Sequence, residues 1–79
     1  MSYVIGLDIG TTSTIGILIG LPDRIVHIAS RPVTLTAPHP AWAEENPEQW
    51  WANVCEITRE LLAVGGLEPK DIKAIGTAG

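Results

Sequence analysis

The chain has little with which to hold a polyanion. Five Lys and Arg stand against nine Asp and Glu, a net charge of −4, and the basic residues form no cluster. That balance argues against a nucleic acid or an anionic membrane surface as partner. Cysteine is almost absent. Cys55 stands alone, so no disulfide framework is available, and a lone thiol fits a reducing, cytoplasmic compartment. With no activating neighbour in the sequence, Cys55 reads as a buried helix thiol rather than a nucleophile. No basic segment precedes an apolar core, so no signal peptide is expected. The longest apolar run, Ile15 to Leu21, is too short to span a bilayer. His27 and His39 have no Cys, Asp or Glu partner at metal-ligand spacing, and no zinc site is expected. No internal repeat or low-complexity segment occurs.

What is present is apolar content: 46% of 79 residues. A chain of this length buries only roughly 60–65% of its unfolded surface and is marginal alone. So much apolar surface without a disulfide leads us to expect a piece of something larger. Ile75-Gly76-Thr77-Ala78-Gly79 follows an apparent strand with no closing element, so truncation is expected on that side.

The chain is organised around Ile5-Gly6-Leu7-Asp8-Ile9-Gly10-Thr11-Thr12-Ser13. A strand from about Tyr3 to Ile9 puts Tyr3, Ile5, Leu7 and Ile9 on one face. Val4, Gly6, Asp8 and Gly10 take the other, which is nearly bare of bulk around one carboxylate. Such a face admits another backbone or a ligand. A second strand, about Thr14 to Gly20, makes a hairpin with Ile15, Ile17 and Ile19 on one face. Backbone N–H groups of the turn and the hydroxyls of Thr11, Thr12 and Ser13 can converge on an anion. Asp8 can hold a hard cation such as Mg²⁺, usually through waters. Together they could cradle nucleotide phosphates. No lysine and no helix follow the turn, so it is not a Walker A loop. An ordinary hairpin with polar turn residues is the alternative reading.

Leu21 to Arg24 reads as a turn. A third strand from near Ile25, able to pass Pro32 to Val33 and Leu35 if it lies at an edge, completes an antiparallel meander. Ala37 to Glu45 reads as a loop. There Trp42 pins the loop while Glu44 and Glu45 stay solvated; the alternative is a sugar contact with acid/base work by the acids. Asn46, Pro47, Glu48 and Gln49 carry the signals of a helix start. Trp50, Val54, Ile57 and Leu61 form an apolar stripe, with Trp51, Cys55 and Leu62 as an adjacent row. The tryptophan pair reads as core rather than as a stacking platform. Gly65 or Gly66 should end the helix. A last strand, Ile72 to Thr77, follows by a crossover. It should therefore lie parallel to the first, in the order three, two, one, four.

Three segments carry a family resemblance: Tyr3 to Ser13; Pro40-Ala41-Trp42-Ala43-Glu44-Glu45-Asn46-Pro47-Glu48-Gln49-Trp50-Trp51; and Asp71 to Gly79. In that order they resemble the N-terminal part of the FGGY carbohydrate kinases, within the actin, Hsp70 and sugar-kinase superfamily. The glycine hairpin is common to the superfamily, and the tryptophan-rich segment narrows the match. Ile15, Gly20 and Ala41 depart from the family pattern, where a basic residue, an acid and a glycine are usual.

The resemblance implies an α/β fold, a ribonuclease H-like (actin-like ATPase domain) fragment of order β-β-β-α-β. Residues 1–79 would be the N-terminal, incomplete part of the first kinase domain. It implies ATP-dependent phosphorylation of a sugar or polyol hydroxyl, with ATP and Mg²⁺ as cofactors. Gly10, Thr11, Thr12 and Ser13 would hold the phosphates, and Asp8 the metal. The catalytic Asp would lie beyond Gly79, leaving this chain inactive alone. Xylulose-like ketoses and gluconate-like acids fit as substrates, and a homodimer is left open for the full-length enzyme. The rivals are a superfamily ATPase that phosphorylates no sugar, and a non-catalytic module.

Overall fold

A computed structural model describes residues 2–33 and 47–78. Three strands run β1 (Tyr3–Ile9), β2 (Ser13–Gly20) and β3 (Arg24–Pro32); then come helix α1 (Pro47–Gly65), one 3-10 turn (Pro69–Asp71) and β4 (Ile72–Ala78). The sheet order is β3-β2-β1-β4. β1 pairs antiparallel with β2, β2 antiparallel with β3, and β1 parallel with β4. The expected meander and crossover are both present. β2 begins one residue earlier than the sequence suggests, and Arg24 already belongs to β3.

α1 lies on one face of the sheet, closest to β2 and β3. Ile5 and Leu7 of β1, Leu18 of β2 and Ala29 of β3 meet Ile57 and Leu61 there, with Tyr3, Val26, Val54, Leu67 and Ile72 packed around them. This matches the expected inward face of β1. On β2 the inward residues are Thr14, Gly16, Leu18 and Gly20, all buried. Ile15, Ile17 and Ile19 point to the opposite, open face and are half-buried. The small inward residues let the helix come close: a Cβ on Gly16 would collide with Ile57 Cγ2.

The helix stops as its glycines require. Gly66 adopts φ +66°, its N–H donates to Ala63 C=O at 3.2 Å, and Leu67 N–H donates to Leu62 C=O at 2.9 Å. These two bonds are a Schellman C-cap, with Leu67 supplying its apolar contact. The N-cap expected of Asn46, and the readings of His39, Trp42, Glu44, Glu45 and Leu35, lie outside the described residues.

Two expectations for α1 need correction. Trp51 is not core: it is 69% exposed. Cys55 is half-buried rather than buried. The cause is where the helix sits. Lying over β2 and β3, it leaves the β1–β4 side of its own face uncovered among the described residues. Trp51 and Cys55 therefore line an open groove of about 590 Å³ with Leu7, Ile9 and Ile75.

β3 ends at Pro32, and Val33 is buried just past it. A proline is accommodated because, among the described residues, β3 is an edge strand with no ladder partner on its outer side. Charged side chains tie that strand to the helix. Glu60 accepts from His27 Nε2 at 2.7 Å and from Arg31 at 2.8 Å, and Arg31 also lies 3.5 Å from Glu56. His27 is thus a satisfied histidine, as its sequence context suggests.

Candidate phosphate-binding hairpin

The turn between β1 and β2 is closed by Gly10 N–H donating to Ser13 C=O at 2.9 Å. A Cβ on Gly10 would stand 3.1 Å from that same oxygen, so the tight closure favours glycine. The Gly10 amide is spent on the turn. The N–H groups of Thr11 and Thr12 take no backbone bond among the described residues. Both residues are exposed, and Ser13 is half-buried. The hydroxyl-bearing tip therefore presents its donors outward, which is the arrangement an anion needs.

Asp8 is exposed near the end of β1, opposite Ile15 on β2 and Ala78 on β4. Strand alternation puts it on the open face with Gly6. A Cβ on Gly6 would meet nothing within 4 Å. A cleft of about 450 Å³ opens here, floored by Gly6, Ile15, Ile17 and Gly76 with Asp8 at its margin. The expected bare glycine face is thus an accessible one. No ion pair engages Asp8 among the described residues. No group of three or more His, Cys, Asp or Glu gathers there to cage a metal. A single free carboxylate suits Mg²⁺, which keeps most of its waters, and does not suit an ion needing a full protein shell.

The hairpin tip is also gripped from behind. Val33 N–H donates to Thr12 C=O at 2.9 Å, and Asn53 Nδ2 of α1 donates to Pro32 C=O at 3.0 Å. Asn53 is only 7% exposed. Sequence reasoning passed over it, although a polar residue between Trp50 and Ile57 interrupts the apolar stripe and was the available signal. Thr14 Oγ1 and Trp50 Nε1 are buried with no hydrogen-bond partner among the described residues.

No helix among the described residues is long and apolar enough to cross a membrane.

Residues 3–79 match the FGGY family of carbohydrate kinases, N-terminal domain. The chain is 40% identical over 76 residues to a glycerol kinase of Variovorax paradoxus, covering 96% of this chain and 15% of the relative. It is 37% identical over 76 residues to a xylulose kinase of Escherichia coli, covering 95% and 15%. Among solved structures, xylulose kinase from Rhodospirillum rubrum superposes with a TM-score of 0.77 at 48% identity, covering 98% of this chain and 16% of that one. Gluconate kinase from Lactobacillus acidophilus gives 0.83 at 32% identity, covering 98% and 15%. The chain thus spans about 15% of the length of the curated relatives it matches. The likeness bears out the expected fold class, the actin-like ATPase fold of these kinases. With its sequence matched nearly end to end and its sheet superposed on theirs, the chain belongs to the FGGY family of carbohydrate kinases.

Proposed function

We propose that residues 1–79 are the N-terminal part of the first domain of an ATP-dependent sugar or polyol kinase, and that the β1–β2 hairpin is its first phosphate-binding element. The observation that carries this reading is the outward-facing Thr11–Thr12 tip beside a free Asp8 on an accessible glycine face. The backbone amides and hydroxyls of Thr11, Thr12 and Ser13 receive phosphate oxygens, while Gly10 keeps the turn tight. Asp8 acts toward Mg²⁺ through the ion's waters. Magnesium, when bound, supplies charge neutralisation on the phosphate oxygens during transfer. The base that takes the hydroxyl proton comes from outside this chain, so the chain alone is inactive.

The acceptor is a small polyhydroxy compound. Relatives are named glycerol, xylulose and gluconate kinases, which supports a polyol, a ketose or a sugar acid. A cytoplasmic location fits a consumer of ATP. The test is a panel of these three acceptors with MgATP and the full-length protein, following ADP release and the phosphorylated product. We expect product with at least one of them. ATP hydrolysis without a phosphorylated acceptor would favour a superfamily ATPase, and neither product nor nucleotide binding would defeat the reading.

A further inference from the structure

We propose that Asn53 is a positioning residue for the phosphate hairpin, acting from α1 through the end of β3; this rests on the hairpin's reading as a nucleotide phosphate site. The link consists of two hydrogen bonds joined by one stretch of backbone. Val33 N–H donates to Thr12 C=O at 2.9 Å. Ser13 pairs with Pro32 in the β2–β3 register. Because Val33 bonds inward to the hairpin, alternation turns the carbonyl of Pro32 to the outer edge of the sheet. The ladder leaves that carbonyl unpaired, and Asn53 Nδ2 meets it at 3.0 Å. Pro32 is followed directly by Val33, so fixing one fixes where the other offers its N–H.

The placement of Asn53 needs a reason. It is 7% exposed, on a helix face whose neighbours Ile57 and Leu61 are fully buried. A buried amide is unfavourable without a partner, and Asn is a poorer helix former than Leu or Met. An apolar residue would serve packing better. What Asn contributes here is a donor to an edge carbonyl. The bond gives the helix a hold on the hairpin at the point where Thr12 is set, without occupying the tip. The two exposed threonines keep their outward donors while their backbone is anchored from within.

The experiment uses the full-length protein and hydrogen exchange resolved to peptides covering residues 10–14 and 31–34. Asn53→Leu removes the donor and keeps the branched shape. Ile57→Val, on the same helix face, is the packing control. In Asn53→Leu, exchange at Val33 and Gly10 should accelerate about tenfold beyond any change in β1 or α1, the scale of one lost hydrogen bond. The KM for MgATP should rise while the KM for the acceptor stays put. Ile57→Val should accelerate exchange evenly and leave both KM values alone. MgADP should slow exchange across residues 10–14 of the wild type. If it does so and Asn53→Leu behaves as the packing control does, the proposal for Asn53 fails while the phosphate reading stands. If MgADP leaves wild-type exchange at residues 10–14 unchanged, the phosphate reading fails and takes the role of Asn53 with it. Asn53→Ala replaces Asn53→Leu if the latter does not fold. Collapse of both would mark Asn53 as a residue of global stability and overturn the proposal.

Discussion

Gly16 lies directly under Ile57, so close that a Cβ on the glycine would collide with the isoleucine's Cγ2. Ile57 is fully buried, and its Cγ2 is bonded to Cβ, so it cannot swing away as the end of a longer side chain would. Gly16→Ala should destabilise the protein by about 1–3 kcal/mol through overpacking. The denaturant midpoint should fall with little change in slope. The penalty should shrink in an Ile57→Ala background, where the added methyl has room. Equal penalties in both backgrounds would show that the two residues do not meet.

Gly66 closes α1 with φ +66°. An alanine there adopts a left-handed backbone at a cost of about 1–2 kcal/mol. Gly66→Ala should lower the thermal midpoint, whereas Ala63→Gly, inside the last turn, should cost roughly 0.5–1 kcal/mol through helix propensity alone. An unchanged midpoint for Gly66→Ala would rule out the C-cap.

The Glu60 cluster predicts a pH dependence. Hydrogen bonds first from His27 and then from Arg31 hold the Glu60 carboxyl below the ordinary carboxylate range. The same pairing raises Arg31. A carboxylate favoured in the folded state adds stability above its unfolded pKa of about 4.3 and loses it as pH falls through its lower folded value. Glu60→Gln should therefore be less stable than the wild type near neutral pH. The gap should narrow in acid, below about pH 4. Both side chains are partly solvated, so the gap should also shrink in high salt. A difference independent of pH between 3 and 7 would remove the carboxylate's charge from the explanation.

For Asp8, substitution in the full-length protein separates chemistry from folding. Asp8→Asn keeps the shape and removes the charge. We expect kcat to fall by about 10²–10⁴-fold, the scale of a lost electrostatic contribution. Acceptor Kd and thermal midpoint should stay near wild type, because the side chain is exposed. A folded variant with near-wild-type kcat at saturating MgATP would remove Asp8 from the mechanism.

Much of this was legible in the residues. The limits of β1, the meander, the parallel return of β4 and the stop at Gly66 follow from alternation, turn chemistry and the crossover rule, all of which are local. That Asp8, Thr11, Thr12 and Ser13 share one hairpin was legible for the same reason: they are neighbours in the chain. Asn53 was not, because its partner Pro32 is 21 residues away. Glu60 was not, because His27 and Arg31 are 33 and 29 residues away. Trp51 was misread because helical periodicity gives the direction of an apolar stripe, whereas its cover depends on where the helix sits across the sheet. That position follows from the small residues of β2, through contacts no single segment encodes.

The alternation in β2 has one further consequence. Ile15, Ile17 and Ile19 face outward, whereas of the inward residues Thr14, Gly16, Leu18 and Gly20 three are small. A hairpin paired one residue out of step would exchange those faces. Ile15 or Ile17 would then be driven against Ile57, where not even a methyl group fits. The helix therefore proof-reads the hairpin: the mis-stepped pairing cannot close beneath it. The β1–β2 turn inherits a single alignment of Thr11, Thr12 and Ser13 relative to Asp8.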